Sequence, residues 1–467
     1  VRYDYQLTII GGGSGGLTAA ELCGQLKLTN VALIEKEAEI GGECLHTGCV
    51  PSKALLHSAK SFCSSDGHGD RDPWSHVRDS IKKIQADRDN DASFESHGIT
   101  VLHGEARFID PHIVKLSSGK TITSKFFLLA TGSHPRVPAI DGLDSVPFYT
   151  NESVFSLDTT PRSITIVGAG PIGCELATAF AMLGSTVHLV QRGPDILPRD
   201  DPAARKLVQK KLQDLGVHIY SRTETVSVTK RTSEIQLLIC DAKDKSAQSV
   251  LKSDTLLVAT GRVPKNELDL QGAGVVYGDA GITIDKKMQT SQSHIFAVGD
   301  CTPSPKFTHL AAHQAGKALT NMFTPRPLRS NAQLDTIPWI TYTSPEVGQI
   351  GLTEEQANKQ QVEYTVEQLD LAEIDRAITD NDQGFIKVLL NKKRRIIGAT
   401  VVSDNASEAL SLLTHMYYHK QSLSSLLKTV IPYPTIASGL SIMASKNVTD
   451  QVANSVFSNL LFNKWRK

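Results

Sequence analysis

Three things are scarce in this 467-residue sequence, and each scarcity removes a class of protein. No apolar run approaches the roughly 20 residues that a membrane-spanning helix requires, and the opening VRYDYQLTIIGGG leads into a strand without an apolar leader segment. Neither sign of charge is in excess: Lys plus Arg and Asp plus Glu both number 49, so no overall field favours nucleic acid or an anionic membrane. Cysteine is sparse and odd in number, seven in all, which argues against the disulfide framework of a secreted scaffold. The expectation is a soluble cytoplasmic protein with no nucleic-acid or membrane partner, whose 40% apolar content fills two to four domains.

What is present is one pattern that occurs twice. YQLTIIGGGSGGLTAAELCGQL, residues 5–26, reads as a buried strand, a glycine turn and a helix, followed by the strand VALIEK at 31–36. The same order returns in SITIVGAGPIGCELATAFAMLG at 163–184 and TVHLVQR at 186–192. Each unit closes on a similar strand, KFFLLATGSHP at 125–135 and DTLLVATGRVPK at 254–265, and HIFAVGDCTP at 294–303 adds a strand with an acid at its carboxyl end. Between the units, residues 54–97 predict two helices joined by an exposed loop in SSDGHGDRDPWS. TPRPLRSNAQLD, 324–335, reads as a linker, and strands and helices alternate from Ile337 onward as a separate domain of about 130 residues.

Gly11-x-Gly13-x-x-Gly16 lies between a strand and a helix, and Glu35 ends the next strand 19 residues after the last glycine. The glycines allow a tight turn and close approach of backbone to a pyrophosphate at the helix N-terminus, and the acid suits a ribose hydroxyl pair. Gly168-x-Gly170-x-x-Gly173 repeats the arrangement, but Gln191 and Arg192 stand where the second acid would be, with Arg199 seven residues beyond. A missing carboxylate and a present guanidinium favour a 2′-phosphate, hence NADPH, with NADH as the alternative.

Cys44 and Cys49 lie five positions apart in GGECLHTGCVPSK, residues 41–53. On one ideal helix their Cα atoms would be about 8 to 9 Å apart, beyond the reach of a disulfide, so a bridge demands a distorted turn. Gly48 supplies freedom for it, and Pro51 suits the start of a regular helix in SKALLHSAK. Thiols at that helix start are expected to have lowered pKa values. A zinc site would need about two more ligands and His46 alone does not complete the set, so no metal site is expected. A structural bridge fits a reducing compartment poorly. The reading is a redox-active dithiol beside a flavin.

In this order, GxGxxG, GGECLHTGCVPSK, ATGS, a second GxGxxG, ATGRVP and FAVGD resemble the flavoprotein disulfide reductases, which include dihydrolipoamide dehydrogenase, glutathione reductase and mercuric reductase. The resemblance covers essentially the whole chain. It implies an α/β fold of two Rossmann-like FAD- and NAD(P)-binding domains with a C-terminal α+β dimerisation domain: an FAD-binding domain in two segments, 1–148 and 269–325, an NAD(P)-binding domain at 149–268, and an interface domain at 332–467 that opens with YTSPEVGQIGLTEEQA. FAD would rest on Gly11, Gly13, Gly16, Glu35, Lys36, Gly42, Lys53, Ala106, Thr131, Gly132, Ser133, Asp300 and His309, and NADPH on Gly168, Gly170, Gly173, Gln191, Arg192 and Gly261. Cys49 would be the charge-transfer thiol and Cys44 the interchange thiol, with Lys53 paired to Glu175 near the flavin and Asp300 on the ribityl chain.

Two departures narrow the expected activity. Where glutathione reductases and dihydrolipoamide dehydrogenases carry His-Pro-Thr and a following glutamate, this sequence reads IPYPTIASG, with Tyr433 and Ser438 in those places. A phenol with a pKa near 10 is a poor base at neutral pH, so the usual acid-base dyad for thiols is missing. Tyrosine there resembles mercuric reductase, yet no cysteine follows Cys301 and no N-terminal metal-binding domain is expected, which disfavours a dedicated mercury detoxifier. The expectation is a homodimeric enzyme in which the partner's Tyr433 approaches the cysteine pair, and electrons pass from NADPH through FAD to Cys44 and Cys49. The acceptor is a small-molecule or protein disulfide or a metal ion. Dihydrolipoamide dehydrogenase and a flavin redox sensor with little turnover are the alternatives. His46 is weighed as a local base against a backbone-bonded loop histidine. Cys23, Cys63, Cys174, Cys240 and Cys301 read as small buried residues, and KKRR at 392–395 as a charged hairpin turn.

Overall fold

Strand β1, Tyr5–Ile10, and strand β2, Val31–Glu35, are runs of Ile, Leu and Val whose residues are almost all buried, as befits parallel strands covered on both faces. Between them helix α1, Ser14–Gln25, starts directly after the glycine turn. The computed structural model describes residues 2–64, 72–232, 234–332, 334 and 336–453. The chain forms two compact units, one of Val1–Ala169, Met182–Val190 and Thr223–Asp335, the other of Gly170–Ala181, Gln191–Arg222 and Thr336–Lys467.

In the first unit, helices α2 (Gly42–His46), α3 (Cys49–Ser64), α4 (Pro73–Asp87) and α5 (Asp91–Ser96) follow β2. Two helices were expected over 54–97, and three elements cover it. Asp72 caps α4 by accepting N–H bonds from Trp74 and Ser75, and Asn90 starts a further short helix by accepting from Ser93. The loop expected between the helices lies, over 65–71, outside the described residues.

Strands β3 (Ile99–His103), β4 (Ala106–Asp110), β5 (Ile113–Leu116) and β6 (Thr121–Leu129) complete a sheet in the order β3-β2-β1-β6-β5-β4. The first part of β6 pairs antiparallel with β5, and its second part pairs parallel with both β1 and the strand Ile295–Ala297. Distant HIFAVGD is thereby brought beside ATGS. The strand Ser163–Val167 is flanked in parallel by Thr186–Val190 and Thr255–Val258.

The two sheets repeat the same atomic constraint. Gly11 has φ +107°, and a Cβ there would lie 2.4 Å from the Ala130 carbonyl oxygen; Gly168 has φ +110° and the same 2.4 Å approach to Ala259. Gly11 N–H donates to Ile34 and Ala130 N–H to Ile10, while Gly168 N–H donates to Val190 and Ala259 N–H to Val167, each at 2.8 Å. Only glycine fits where the turn backbone passes this close to the neighbouring strand.

In the second unit an antiparallel sheet runs Trp339–Thr341, Glu346–Gly351, Ile396–Ser403, Phe385–Leu390, Thr365–Asp370. Its core takes Leu410 and Leu413 from helix Ala406–Tyr418 and Leu440 and Met443 from helix Ser438–Ala453. KKRR forms the turn between two of these strands, with Arg394 paired to Glu367 at 3.0 Å. Lys387 interrupts the buried strand FIKVLL, and its ammonium lies 3.1 Å from Asp201 and 2.6 Å from Glu354. Burial alone would lower the Lys387 pKa; the two carboxylates overcome this and raise it.

Removing the ammonium leaves the fully buried Asp201 carboxylate without its cation. Lys387→Met should cost about 3 to 5 kcal/mol, read as a lowered denaturant midpoint. Lys387→Met with Asp201→Asn should recover part of the loss, since Asn serves equally as the cap that Asp201 provides to Ala203.

Candidate functional site

The first fingerprint ends at a helix start without a side-chain cap, since Gly13 carries none, so its leading N–H groups are available to an anion. Glu35, buried at the end of β2, accepts from the N–H of Gly12 at 2.6 Å and of Glu37 at 3.0 Å. Those bonds fix the carboxylate beside the glycine turn and leave lone pairs for a ribose. Gly42 is packed on the same turn, where a Cβ would meet the Gly13 Cα at 2.5 Å. The pair of glycines before Cys44 thus docks the cysteine segment on the nucleotide turn. An uncapped helix start, a held acid and a turn with no room for side chains fit the FAD pyrophosphate and ribose.

Cys44 sits in α2 and Cys49 opens α3, with the chain broken at Thr47 and Gly48. The regular helix was expected near Pro51; it starts two residues earlier, and Pro51 occupies its first turn, where its missing N–H is not needed. Gly48 serves through closeness, because a Cβ would lie 2.9 Å from the Glu43 carbonyl oxygen, and its φ is not in the left-handed region. All seven cysteines are thiols in this structure. The Cys44 thiol is hydrogen-bonded to Cys49 and is also within reach of the Thr308 and Ser14 hydroxyls. Thr308 Oγ1 lies 3.4 Å from Cys49 Sγ. The thiols were expected to be lowered in pKa; for Cys44 the shift is upward. Its bond to Cys49 is the largest cause, followed by burial and by the repulsion of a second thiolate, while Thr308 and Ser14 oppose them.

Arg262, from ATGRVP, is the electrostatic centre of the same unit. Its guanidinium pairs with Glu43, lies 3.7 Å from Glu152 and 3.8 Å from Asp300, and donates from Nε to the Ser133 hydroxyl at 2.8 Å. Ser133 in turn donates to Asp300 at 2.7 Å. Asn151 donates to Glu43 Oε1 at 2.9 Å, and Lys306 donates to the Asp300 and Thr302 carbonyls. Arg262 Nη1 is buried without a hydrogen-bond partner in this structure.

The other expected positions fall as follows. Thr131 donates to the Lys265 carbonyl at 3.4 Å, and the Gly132 carbonyl accepts from Lys265 N–H. Ala106 is buried in β4, and Lys36 lies 3.8 Å from both Glu37 and Glu267. Lys53 donates to Ser52 at 3.3 Å and belongs to the first unit; Glu175, buried in the second, accepts the Tyr342 N–H at 2.8 Å. Gly168 falls in the first unit with Gly261, and Gly170 and Gly173 in the second. Gln191 donates to the Asp195 carbonyl at 3.3 Å, and Arg192 is exposed. His309 is exposed and stacks on Phe307.

Tyr433 is 72% exposed and its phenol donates to Asp375 at 2.8 Å; that bond and the carboxylate charge raise its pKa further from the neutral range. A His46 ring nitrogen lies 2.9 Å from the Ile40 carbonyl, the backbone-bonded alternative. Cys23, Cys174, Cys240 and Cys301 are buried; Cys63, expected among them, is exposed on α3. Among the described residues no group of three or more His, Cys, Asp or Glu side chains is placed to hold a metal, and no helix is long and apolar enough to cross a membrane. Sequence reasoning missed Glu43, Ser14, Arg262 and Thr308. Glu43 and Arg262 lay inside motifs already singled out, where an acid next to Cys44 and a cation in a strand-end turn were the signals.

Two nucleotide fingerprints with a dithiol docked on the first define a flavin-dependent oxidoreductase that works with pyridine nucleotides. The family model for pyridine nucleotide-disulphide oxidoreductases matches residues 5–315 and the family's dimerisation-domain model matches 337–444, so the chain belongs to this family. It is an FAD-dependent enzyme, and members of the family use FAD and NAD(P)H. The chain is 32% identical over 456 residues to the mercuric reductase of Bacillus cereus, covering 94% of this chain and 71% of that one. Dihydrolipoyl dehydrogenase 1, mitochondrial, of Arabidopsis thaliana is 31% identical over 459 residues, covering 94% and 89%. A Cu(II) complex of the HOCl-induced flavoprotein disulfide reductase RclA from Escherichia coli superposes with a TM-score of 0.84 at 26% identity, covering 93% and 98%.

The Thr308 hydroxyl lowers the Cys44 pKa against the larger causes that raise it. Thr308→Val should therefore move thiol titration upward by on the order of one pH unit, followed by the pH dependence of iodoacetamide alkylation of the reduced protein. An unshifted profile would show that the contact is only steric.

Proposed function

We propose that this enzyme takes electrons from NADPH, with FAD on the first fingerprint, into the Cys44–Cys49 pair, and delivers them from Cys44 to a disulfide or a thiophilic metal ion. The observation that carries this reading is the meeting of the two cysteines from consecutive helices, with Thr308 3.4 Å from one of them, on the segment docked against the first glycine turn. FAD, when bound, supplies the two-electron step between nicotinamide and disulfide. The chain's own residues bind and set charge. Gly11, Gly13 and Gly16 admit the pyrophosphate, Glu35 takes the ribose, Lys53 supplies positive charge, and Asp300 orients the ribityl chain.

Arg192, exposed just after Thr186–Val190, favours the 2′-phosphate of NADPH over NADH. The pairing of Ile295–Ala297 with β6 supports one FAD-binding domain built from 1–148 and 269–325 around a nucleotide-binding insertion. Residues 332–467 serve as the interface of a cytoplasmic homodimer, in which Tyr433 is presented to the partner's cysteine pair. An exposed phenol bonded to a carboxylate is a weak base but a usable metal or substrate contact. Disulfide and metal ion are therefore both tested as acceptors, the latter also because mercuric reductases and a Cu(II)-bound reductase are among the similar proteins.

Anaerobic titration should show long-wavelength thiolate-to-flavin absorbance with NADPH at lower concentration than with NADH, and none in Cys49→Ser. Lipoamide, glutathione disulfide, Hg(II) and Cu(II) are then added in turn, and one of them should discharge the band over many cycles. Absence of the band with both nucleotides would contradict the electron route. Reduction that stops after one or two equivalents with every acceptor would contradict turnover and favour a sensor.

A further inference from the structure

The direction of the Glu35 carboxylate depends on the residue two places on. Glu37 N–H donates to one of its oxygens at 3.0 Å, and the Glu37 carbonyl accepts from His103 Nδ1 at 2.6 Å. With its N–H and its C=O both bonded, Glu37 has little freedom of φ and ψ, and the Glu35 side chain is held accordingly. His103 ends β3 in register with Glu35 on β2, and its other ring nitrogen, Nε2, lies 2.8 Å from the Asp91 carboxylate of α5. A continuous path of hydrogen bonds therefore runs from α5 through His103 and Glu37 to Glu35, and from Glu35 to the Gly12 N–H of the glycine turn.

Both partners of the ring are acceptors. A carbonyl and a carboxylate each require an N–H; a neutral imidazole has one and an imidazolium has two, so the arrangement is complete only with the ring charged. When the ring loses a proton, the ionised carboxylate keeps the remaining N–H because its bond is the stronger. Nδ1 then holds a lone pair 2.6 Å from the Glu37 carbonyl oxygen, and that contact must open. The charged groups acting on the ring are Asp91 from α5 and Glu35 from β2, both negative, while Lys36 lies 3.8 Å from Glu37 and Glu267. The Asp91 bond above all, with the Glu37 carbonyl and these charges, raises the His103 pKa above the usual imidazole range against the opposing effect of burial.

We propose that His103 is a positioning residue for FAD: as an imidazolium it clasps Glu37 and so holds Glu35 for the adenosine ribose, and as a neutral ring it lets go, so that FAD is retained less well as pH rises. The sign follows from the direction of the shift. A group with a raised folded-state pKa contributes fully below its ordinary value, and the contribution is lost as pH rises through the folded value. This rests on the placing of FAD at the first fingerprint proposed above.

The test is the temperature at which flavin fluorescence appears when the holoenzyme is heated, recorded from about pH 6 to about pH 9. The wild type should release FAD about 2 to 4 °C above His103→Gln at the acid end, and the gap should close at the alkaline end. Asp91→Asn, which removes the carboxylate from the ring, should move the wild-type loss to lower pH by on the order of one unit. A gap that is the same at every pH, or coincident curves for wild type and His103→Gln, would overturn the proposal. So would an unmoved profile in Asp91→Asn, a result that stands even if His103→Gln does not fold. Glu35→Gln in the same series separates the two ideas. If it lowers the release temperature at every pH while His103→Gln follows the wild type, only the clasp fails; if it changes nothing, Glu35 does not hold FAD and the clasp falls with that assignment.

Discussion

The approach of a fingerprint glycine to the carbonyl of the neighbouring strand is the constraint on which this molecule is built. At Gly11 and again at Gly168 a side chain would sit 2.4 Å from a carbonyl oxygen, so the chain can turn tightly from strand into helix only with hydrogen at that place. The first helix N-terminus is thereby fixed beside the end of β2, where Glu35 lies and accepts the Gly12 N–H. Gly42, stacked on Gly13, then hangs the Cys44 segment from the same turn. The cysteine segment is placed by backbone contact and not by a flexible side chain, which holds its geometry firmly.

Charge is organised around Arg262 in a complementary way. The residue joins ATGRVP to GGEC, ATGS and FAVGD through Glu43, Ser133 and Asp300. Four motifs that are far apart in sequence therefore share one hydrogen-bonded and ion-paired group. Such a group costs desolvation, which its hydrogen bonds and ion pairs offset. Lys387, in a buried β-strand, forms a second buried ion-paired group with Asp201 and Glu354.

How much of this was legible in the sequence follows from the range of the forces involved. The strand-turn-helix units at 5–35 and 163–192 could be read because glycine spacing and apolar runs are local signals. The α/β class and the family followed from the same motifs. The cap at Asn90 was local too and was overlooked, so three helices appear where two were expected. The start of α3 at Cys49 was hidden because Pro51 marks a first turn without saying which residue opens it. The Glu43–Arg262 pairing and the Thr308 contact depend on how distant segments meet, and nothing in local periodicity reports that. Cys63 lies on an exposed helix face despite the usual preference of cysteine for the interior.

The central claim is that Cys44 and Cys49 form the couple that receives electrons from the nicotinamide. Differential alkylation with mass spectrometry tests it most directly, labelling the anaerobic holoenzyme before and after one equivalent of NADPH. The account predicts that Cys44 and Cys49 become alkylated only after NADPH, while the labelling of the other five cysteines is unchanged. Labelling of the pair that does not depend on NADPH would contradict it.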